Sequence, residues 1–440
     1  MRWARALVVV LVLSVLGGLV ALAPPATARA AELVVTSTPQ PQNLFPDGVL
    51  FTIAARSDQP IRSVRLTYSL EPGGIPVGAD AQFEPGVQVT AQYRLRTSAN
   101  YIPPGKVITY HWELKDAAGN TVTTPDARFR YDDTRFQWQE ARSGNVVLHY
   151  YKGGAAGAQR LAAAGAQGVA RAEDLEGVRV PFALNVWAYA TEPDLLVAQQ
   201  HQSAATDPGV LGQAFEPDTL LSLVTNFDDP VAHDTLRHEL THLVTAYAVS
   251  GPYEQLFPIW LNEGISVYMQ GDPNDVGYVD AFQAAVKSDR IVSLVQLQTL
   301  RSSDIGLFYG ESYEVVKFLV DRYGKAKLAQ LLSVYKQGST DDGAFRQVYG
   351  TDRAGVYQQF RESLRLPTAR PTPTGQPSSS TGRTGDARAP VATTAGHGAG
   401  RAIIAVLIFA LGALAVALVA LLVALVWSRA SAARRPPGGA

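Results

Sequence analysis

The sequence predicts an α+β chain in consecutive blocks: an N-terminal β-sandwich over residues 31–132, a mixed and then helical domain over 133–366, and a single transmembrane helix over 401–428. Three observations carry this expectation. Before residue 132, short apolar stretches are separated by Pro, Gly, Asn and Asp clusters, the pattern of a sandwich. After Asp133, strand-like and helix-like segments mix, and beyond Asp229 the pattern is mainly helical as far as Leu366. Ala402 to Trp427 is apolar and uncharged, longer than the roughly 20 residues that cross a bilayer core.

In chain order, Arg2 and Arg5 precede the apolar run Ala6 to Ala23, followed by Pro24-Pro25 and Ala28-Arg29-Ala30. A charged start, an apolar stretch and a small-x-small site predict a signal peptide over 1–30. Strands are expected at Val49–Ala55, Ile61–Leu70, Val87–Leu95 and Val107–Leu114. Tyr110-His111-Trp112-Glu113-Leu114 and the following turn to Asn120 resemble the penultimate strand of immunoglobulin-like and fibronectin type III modules, which implies an immunoglobulin-like sandwich with His111 as a strand residue. Further strands are expected at Asn145–Tyr151 and Phe182–Ala190, a helix over Ala155–Ala172, and a hairpin over Leu211–Thr225 turning at Glu216-Pro217-Asp218. Residues 367–400 are rich in Pro, Thr, Ser, Gly and Ala and have no aromatic residue, the composition of a flexible tether. Arg429, Arg434 and Arg435 follow the apolar run whereas Arg401 precedes it singly, which places the tail, 429–440, in the cytoplasm. The expectation is a single-pass cell-membrane protein with its folded domains outside the cytoplasm.

Composition removes several classes of function. With 38 Lys+Arg against 39 Asp+Glu, no basic field supports nucleic-acid binding. Cysteine is absent, which excludes disulfides, thiolate ligands and cysteine nucleophiles. A bound metal must therefore use His and carboxylates, and nothing requires a nucleotide or organic cofactor.

The chemistry concentrates after Asp228-Asp229-Pro230, a helix start with a carboxylate cap and Pro in the first turn. Leu236, Leu240, Leu243 and Tyr247 mark the apolar stripe of the helix that follows. At about 100° per residue, His238 and His242 lie about 200° and 240° around from Leu236, close together on another face. They belong to His238-Glu239-Leu240-Thr241-His242, in which imidazoles four residues apart converge on one zinc ion and the Glu stands ready to take a proton from an attacking water. A third ligand is expected in Ile259-Trp260-Leu261-Asn262-Glu263-Gly264, where Glu263 sits among apolar neighbours that make an unpaired carboxylate costly. His233 falls about 140° from His238, too far to share its metal. His149 and His201 read as structural or exposed, and His397 belongs to the tether.

His238-Glu239-x-x-His242 followed by Trp260-Leu261-Asn262-Glu263-Gly264 resembles the gluzincin zinc metallopeptidases, and more closely the peptidase MA-like group, over roughly residues 140–365. The resemblance implies a zincin-type catalytic domain with one Zn2+ per chain, held by His238, His242 and Glu263, and Glu239 as general base. Where thermolysin-like enzymes place an Asp that orients a zinc His, this chain has Val267. Asp234, one turn before His238, is one candidate for that contact, with compensation of the helix dipole as its other reading. Phe308-Tyr309-Gly310-Glu311-Ser312-Tyr313 matches the helix on which related aminopeptidases carry an oxyanion-stabilising Tyr, assigning Tyr309 that role with Tyr313 in reserve. Arg290 to Leu294 also resembles a segment of these proteins. In this fold the strand before the zinc helix lies along the substrate, which points to part of Leu211–Glu216 or Thr219–Thr225 without naming a residue.

The function expected is a membrane-anchored, extracytoplasmic zinc-dependent peptidase acting on a peptide or protein substrate. The alternative is a non-catalytic cell-surface binding or adhesion protein on the same scaffold; the intact Glu239 counts against it, since a purely structural zinc site needs no base. Intramembrane proteolysis is excluded by Asp234 and Arg237 on the motif helix. The sandwich is expected to be an accessory module that docks on the catalytic domain or binds a protein or glycan partner.

Overall fold

The computed structural model describes residues 32–200, 211–251, 257–300 and 304–368. The expected signal peptide (1–30), nearly all of the tether (367–400), the transmembrane helix (401–428), the tail (429–440), His201 and His397 lie outside these residues. No helix among the described residues is long and apolar enough to cross a membrane. Among the described residues the fold is mixed α and β, with an eight-stranded and a five-stranded sheet.

The first sheet contains β1 (Val34–Ser37), β2 (Gln42–Asn43), β3 (Gly48–Leu70), β4 (Val77–Asp80), β5 (Gly86–Arg96), β6 (Lys106–Asp116), β7 (Thr121–Thr123) and β8 (Ala127–Tyr131). All of its strand pairs are antiparallel. The strands expected at 49–55 and 61–70 are two halves of β3. Val49, Phe51, Ile53 and Ala55 point into the core at a period of two, and Val64, Leu66 and Tyr68 resume it after a register shift. Asp58-Gln59-Pro60 is absorbed as an irregularity between the halves, the kind of position where a strand tolerates Pro. The first half pairs with β5 and the second with β6, around a core that includes Phe51, Leu66, Tyr110 and Trp112.

The second sheet has the order β12-β13-β11-β10-β9, formed by β9 (Gln139–Ser143), β10 (Val146–Tyr150), β11 (Leu184–Tyr189), β12 (Gly212–Phe215) and β13 (Thr219–Leu223). The inner strands β10, β11 and β13 run parallel, while β9 and β12 close the edges antiparallel. Crossing from β10 to β11 is helix α1 (Ala155–Glu176), four residues longer than its Ala-rich run suggested and ended by Gly177 in the left-handed region. Helix α2 (Glu192–Gln199) follows β11. The remaining helices are α3 (Pro230–Val249), α4 (Ile259–Gln270), α5 (Tyr278–Lys287), α6 (Leu294–Leu300), α7 (Ile305–Tyr323), α8 (Lys325–Lys336), α9 (Asp341–Tyr349) and α10 (Arg353–Ser363).

Small residues set the helix spacing. A Cβ on Gly165 would stand 2.9 Å from a methyl of Leu236, and one on Gly168 would stand 2.9 Å from Arg237 Cγ, so the glycines of α1 let it close on α3. Between α4 and α7, a Cβ on Gly264 would come within 2.4 Å of the Ser312 carbonyl oxygen. The two sheets are joined by contact between their units. Lys106, the first residue of β6, makes an ion pair with Asp218 in the β12–β13 turn, and Gly105 leaves room for the Trp187 ring on β11.

Glu176, at the end of α1, is buried against α3 and accepts a hydrogen bond from Thr245 Oγ1 (2.9 Å). Burial pushes its carboxyl up to about 8, with the Thr245 bond opposing. An unfolded chain loses that proton near 4.5, so between these values the folded state binds more protons and rising pH favours unfolding. Denaturant titrations from pH 4.5 to 8 should show stability falling with pH, and Glu176→Gln should flatten that slope.

Candidate metal centre

Asp229 caps α3 by accepting from the Val231 N–H (3.0 Å), and Pro230 takes the first helical position, which needs no N–H partner. Leu236, Leu240 and Leu243 are buried on the stripe that packs α3 into the core. His238 and His242 leave α3 on another face, toward α4. Helix α4 is anchored by Trp260, Leu261, Ile265 and Val267, all fully buried, and this packing carries Glu263 into the interior with no exposed surface.

The three predicted ligands meet. His238 Nε2 lies 3.4 Å and His242 Nε2 3.5 Å from the same carboxylate oxygen, Glu263 Oε2. One donor atom from each of the three can be chosen so that all lie within 4.8 Å of one another, the only such group of three or more among the described residues. Bonds of about 2.0–2.1 Å to a tetrahedral zinc require ligand atoms about 3.3–3.5 Å apart, so the donor set fits that ion. The Nδ1 sides of the rings are also occupied. His238 Nδ1 donates to Gln270 Oε1 (2.8 Å), while His242 Nδ1 lies 3.1 Å from both Asn262 Oδ1 and Ser266 Oγ. With each Nδ1 engaged in this way, Nε2 is the atom that each ring turns toward Glu263, the orientation a metal ligand requires.

Two carboxylates share this interior and are driven apart by their neighbours. Burial alone would raise Glu263, but hydrogen bonds and attraction from the two imidazoles outweigh it and hold the group ionised far below the usual range. Glu239 is pushed up to about 7 by burial, opposed by His238 and reinforced by the charge of Glu263. It accepts the Ala214 N–H from β12, and its Oε2 has no hydrogen-bond partner among the described residues. Strand β12 comes this close because residue 212 is Gly: a Cβ there would lie 2.8 Å from Glu239 Cγ.

Tyr309 lies in the second turn of α7, a helix capped by Asp304 at its start, and is buried with its ring 6.4 Å from that of His238. Tyr313, one turn later, faces Tyr268 at 6.2 Å. Asp234 does not take the orienting position considered for it. Its carboxylate pairs with Arg237, whose guanidinium also donates to the Gln270 carbonyl (2.7 Å), and Gln270 itself supports His238. Of the two segments considered for the substrate strand, β12 is at the sheet edge and β13 lies between β12 and β11. His149 is buried and stacks on Trp187 at 4.3 Å, and His233 bonds the Phe227 carbonyl (2.8 Å).

The sequence reading missed Gln270, the supporting roles of Asn262 and Ser266, the Ala214 N–H, and Tyr278. Gln270 is seven residues after Glu263, two helical turns on the same face, a spacing that could have exposed it. Tyr278 stacks on Tyr309 (5.0 Å, 17°), and its buried hydroxyl has no hydrogen-bond partner among the described residues.

Residues 164–366 match a family model described as the Peptidase MA superfamily. Among solved structures, an M1 zinc metallopeptidase from Deinococcus radiodurans aligns at 12% identity over 79% of this chain and 95% of its own, with a TM-score of 0.33. A substituted form of an M1 zinc metallopeptidase from the same organism, bound to a Tyr-Ser-Ala substrate, aligns at 11% identity over 74% and 91%, with a TM-score of 0.34. A Br derivative of BhCBM56 aligns at 14% identity over 22% of this chain and 97% of its own, with a TM-score of 0.16. No curated protein matches the sequence.

If Gln270 orients His238 toward a metal, Gln270→Leu should weaken zinc binding by about 10–100-fold in chelator competition while the fold, followed by circular dichroism, is retained.

Proposed function

We propose that this chain is a zinc-dependent peptidase whose ligands are His238, His242 and Glu263, a reading supported by the match of residues 164–366 to the Peptidase MA superfamily. The observation that carries the reading is the convergence of both Nε2 atoms on one oxygen of a fully buried, ionised Glu263. Bound there, zinc supplies a Lewis acid that acidifies water and polarises a substrate carbonyl.

The chain's own groups do the rest. Glu239 takes the proton of the attacking water on its carboxylate and returns it to the leaving amine. The open hydrogen-bonding capacity of its Oε2 leaves a place for that water. Tyr309 donates its hydroxyl to the developing oxyanion, and its ring, flanked by His238 and Tyr278, has little room to turn. Strand β12 offers its outer edge to an extended peptide, whose backbone would pair with it. The apolar run from Ala402 to Trp427 and the Arg residues after it support a single-pass anchor with the peptidase outside the cytoplasm. Residues 31–132 are read as an immunoglobulin-like accessory module, on the strength of their antiparallel pairing and the buried Trp112.

Glu239→Gln should leave zinc content near that of the parent while lowering peptide hydrolysis by at least about 100-fold, whereas Glu263→Ala should lose the metal. Undiminished hydrolysis by Glu239→Gln would refute the proton-transfer role, and full metal retention by Glu263→Ala would refute the ligand set. In the same full-length chain, alkaline extraction should leave the protein in the membrane pellet, and truncation after residue 400 should release it; a chain that extracts intact has no anchor.

A further inference from the structure

We propose that Tyr101 and Lys106, both outside the peptidase domain, are positioning residues for Glu239: they hold the β12–β13 hairpin so that the Ala214 N–H remains on that carboxylate. The positioning rests on contacts alone, and its effect on turnover rests on the peptidase reading above.

The hairpin is gripped at its turn from two sides. Phe215, the last residue of β12, lies against the Tyr101 ring at 5.1 Å and 42°. The Tyr101 hydroxyl donates to the Ala198 carbonyl (2.7 Å) at the end of α2, which fixes the ring that Phe215 meets. Asp218, on the other limb of the turn, pairs with the Lys106 ammonium; only 4% of the lysine side chain and 13% of the aspartate side chain are exposed. Thr219 Oγ1 donates to the same Asp218 oxygen (2.9 Å), and the Asp218 carbonyl receives the Asn185 N–H (2.7 Å), tying the turn to β11.

Glu239 is at the other end of this chain of contacts. Ala214 adjoins Phe215, pairs with Leu220 across the hairpin and turns its N–H toward Glu239, and Gly212 of the same strand packs so closely on that side chain that a Cβ there would lie 2.8 Å from Glu239 Cγ. Strand β12 has four residues and, among the described residues, one neighbour within its sheet, β13. Short edge strands open readily, so the register of Ala214 against Glu239 depends on what restrains the turn. A buried ion pair is a weak adhesive compared with apolar packing, but it is a directional one and admits a single placement of the turn. A shift of about 1 Å in a reacting group can cost about 100-fold in rate, so such restraint matters to a base while a metal held by α3 and α4 is left undisturbed.

The test compares full-length protein with Tyr101→Ala, Tyr101→Phe and Lys106→Met variants. Three properties are measured: amide exchange across residues 211–223, zinc affinity by chelator competition, and kcat and KM for a peptide, per zinc-loaded molecule. The expected result for Tyr101→Ala and Lys106→Met is exchange about 10-fold faster in β12 but unchanged in α3, kcat lowered about 10-fold, and zinc affinity and KM held within about twofold. Tyr101→Phe keeps the ring against Phe215 and should stay closer to the parent. Unchanged exchange in β12, or a kcat that falls only with zinc content, overturns the proposal. If Lys106→Met does not fold, the two Tyr101 variants decide. Faster exchange in β12, in a chain whose parent hydrolyses no peptide, upholds the positioning and rejects the peptidase reading instead.

Discussion

A single ionised carboxylate held in the protein interior sets the requirements that the rest of the centre meets. Glu263 has no exposed surface, and an uncompensated charge there would cost several kcal/mol. Compensation comes from two imidazoles of another helix, so α3 and α4 must cross with their polar faces in register. The apolar residues around Glu263 then have a definite task. Trp260, Leu261, Ile265 and Val267 bind α4 to the core, and Gly264 allows α7 to approach, bringing Tyr309 beside His238. The same interior gives Glu239 the opposite protonation tendency. Its neighbours compensate less, so burial prevails and the carboxyl titrates near neutrality. Two glutamates at one centre thus acquire different chemical tendencies without differing in chemical type.

The parts of this arrangement legible in the sequence are those with local spacing. His238 and His242 share a helix face because they are four residues apart, and Glu263 stands out as a carboxylate in an apolar run. What stayed hidden depends on how elements cross. Gln270 supports His238 only because α4 lies against α3, and Ala214 meets Glu239 only because β12 folds over the motif helix. Tyr278 joins the centre through its stack on Tyr309, from a different helix. Only Gln270 has a helical spacing, from Glu263; the contacts of Ala214 and Tyr278 have no sequence period.

The fold divides in the same way. Both halves of β3 read as strands, but the turn expected between them is overridden by pairing that continues on either side of Asp58-Gln59-Pro60. The helical run in α1 ended, by composition, where Glu173, Asp174 and Glu176 begin. The helix instead continues, because Glu173 Oε1 accepts the Val180 N–H (2.8 Å) and Glu176 is bonded by Thr245. Polar residues that look like a helix exit from local sequence are fixing points between elements, and only tertiary structure reveals their partners.

The union of Lys106 with Asp218 also has a temporal side. The two residues are 112 positions apart, and synthesis proceeds from the N-terminus. At about 5–20 residues per second, the β strands of the first sheet exist for on the order of ten seconds before the aspartate is made. Throughout that interval the lysine ammonium remains hydrated, and the face that will receive the hairpin is open to water or to a chaperone. Closing that face is therefore a late event in the birth of the molecule, and a newly made chain interrupted before residue 218 would present a finished sheet with an unfinished seam.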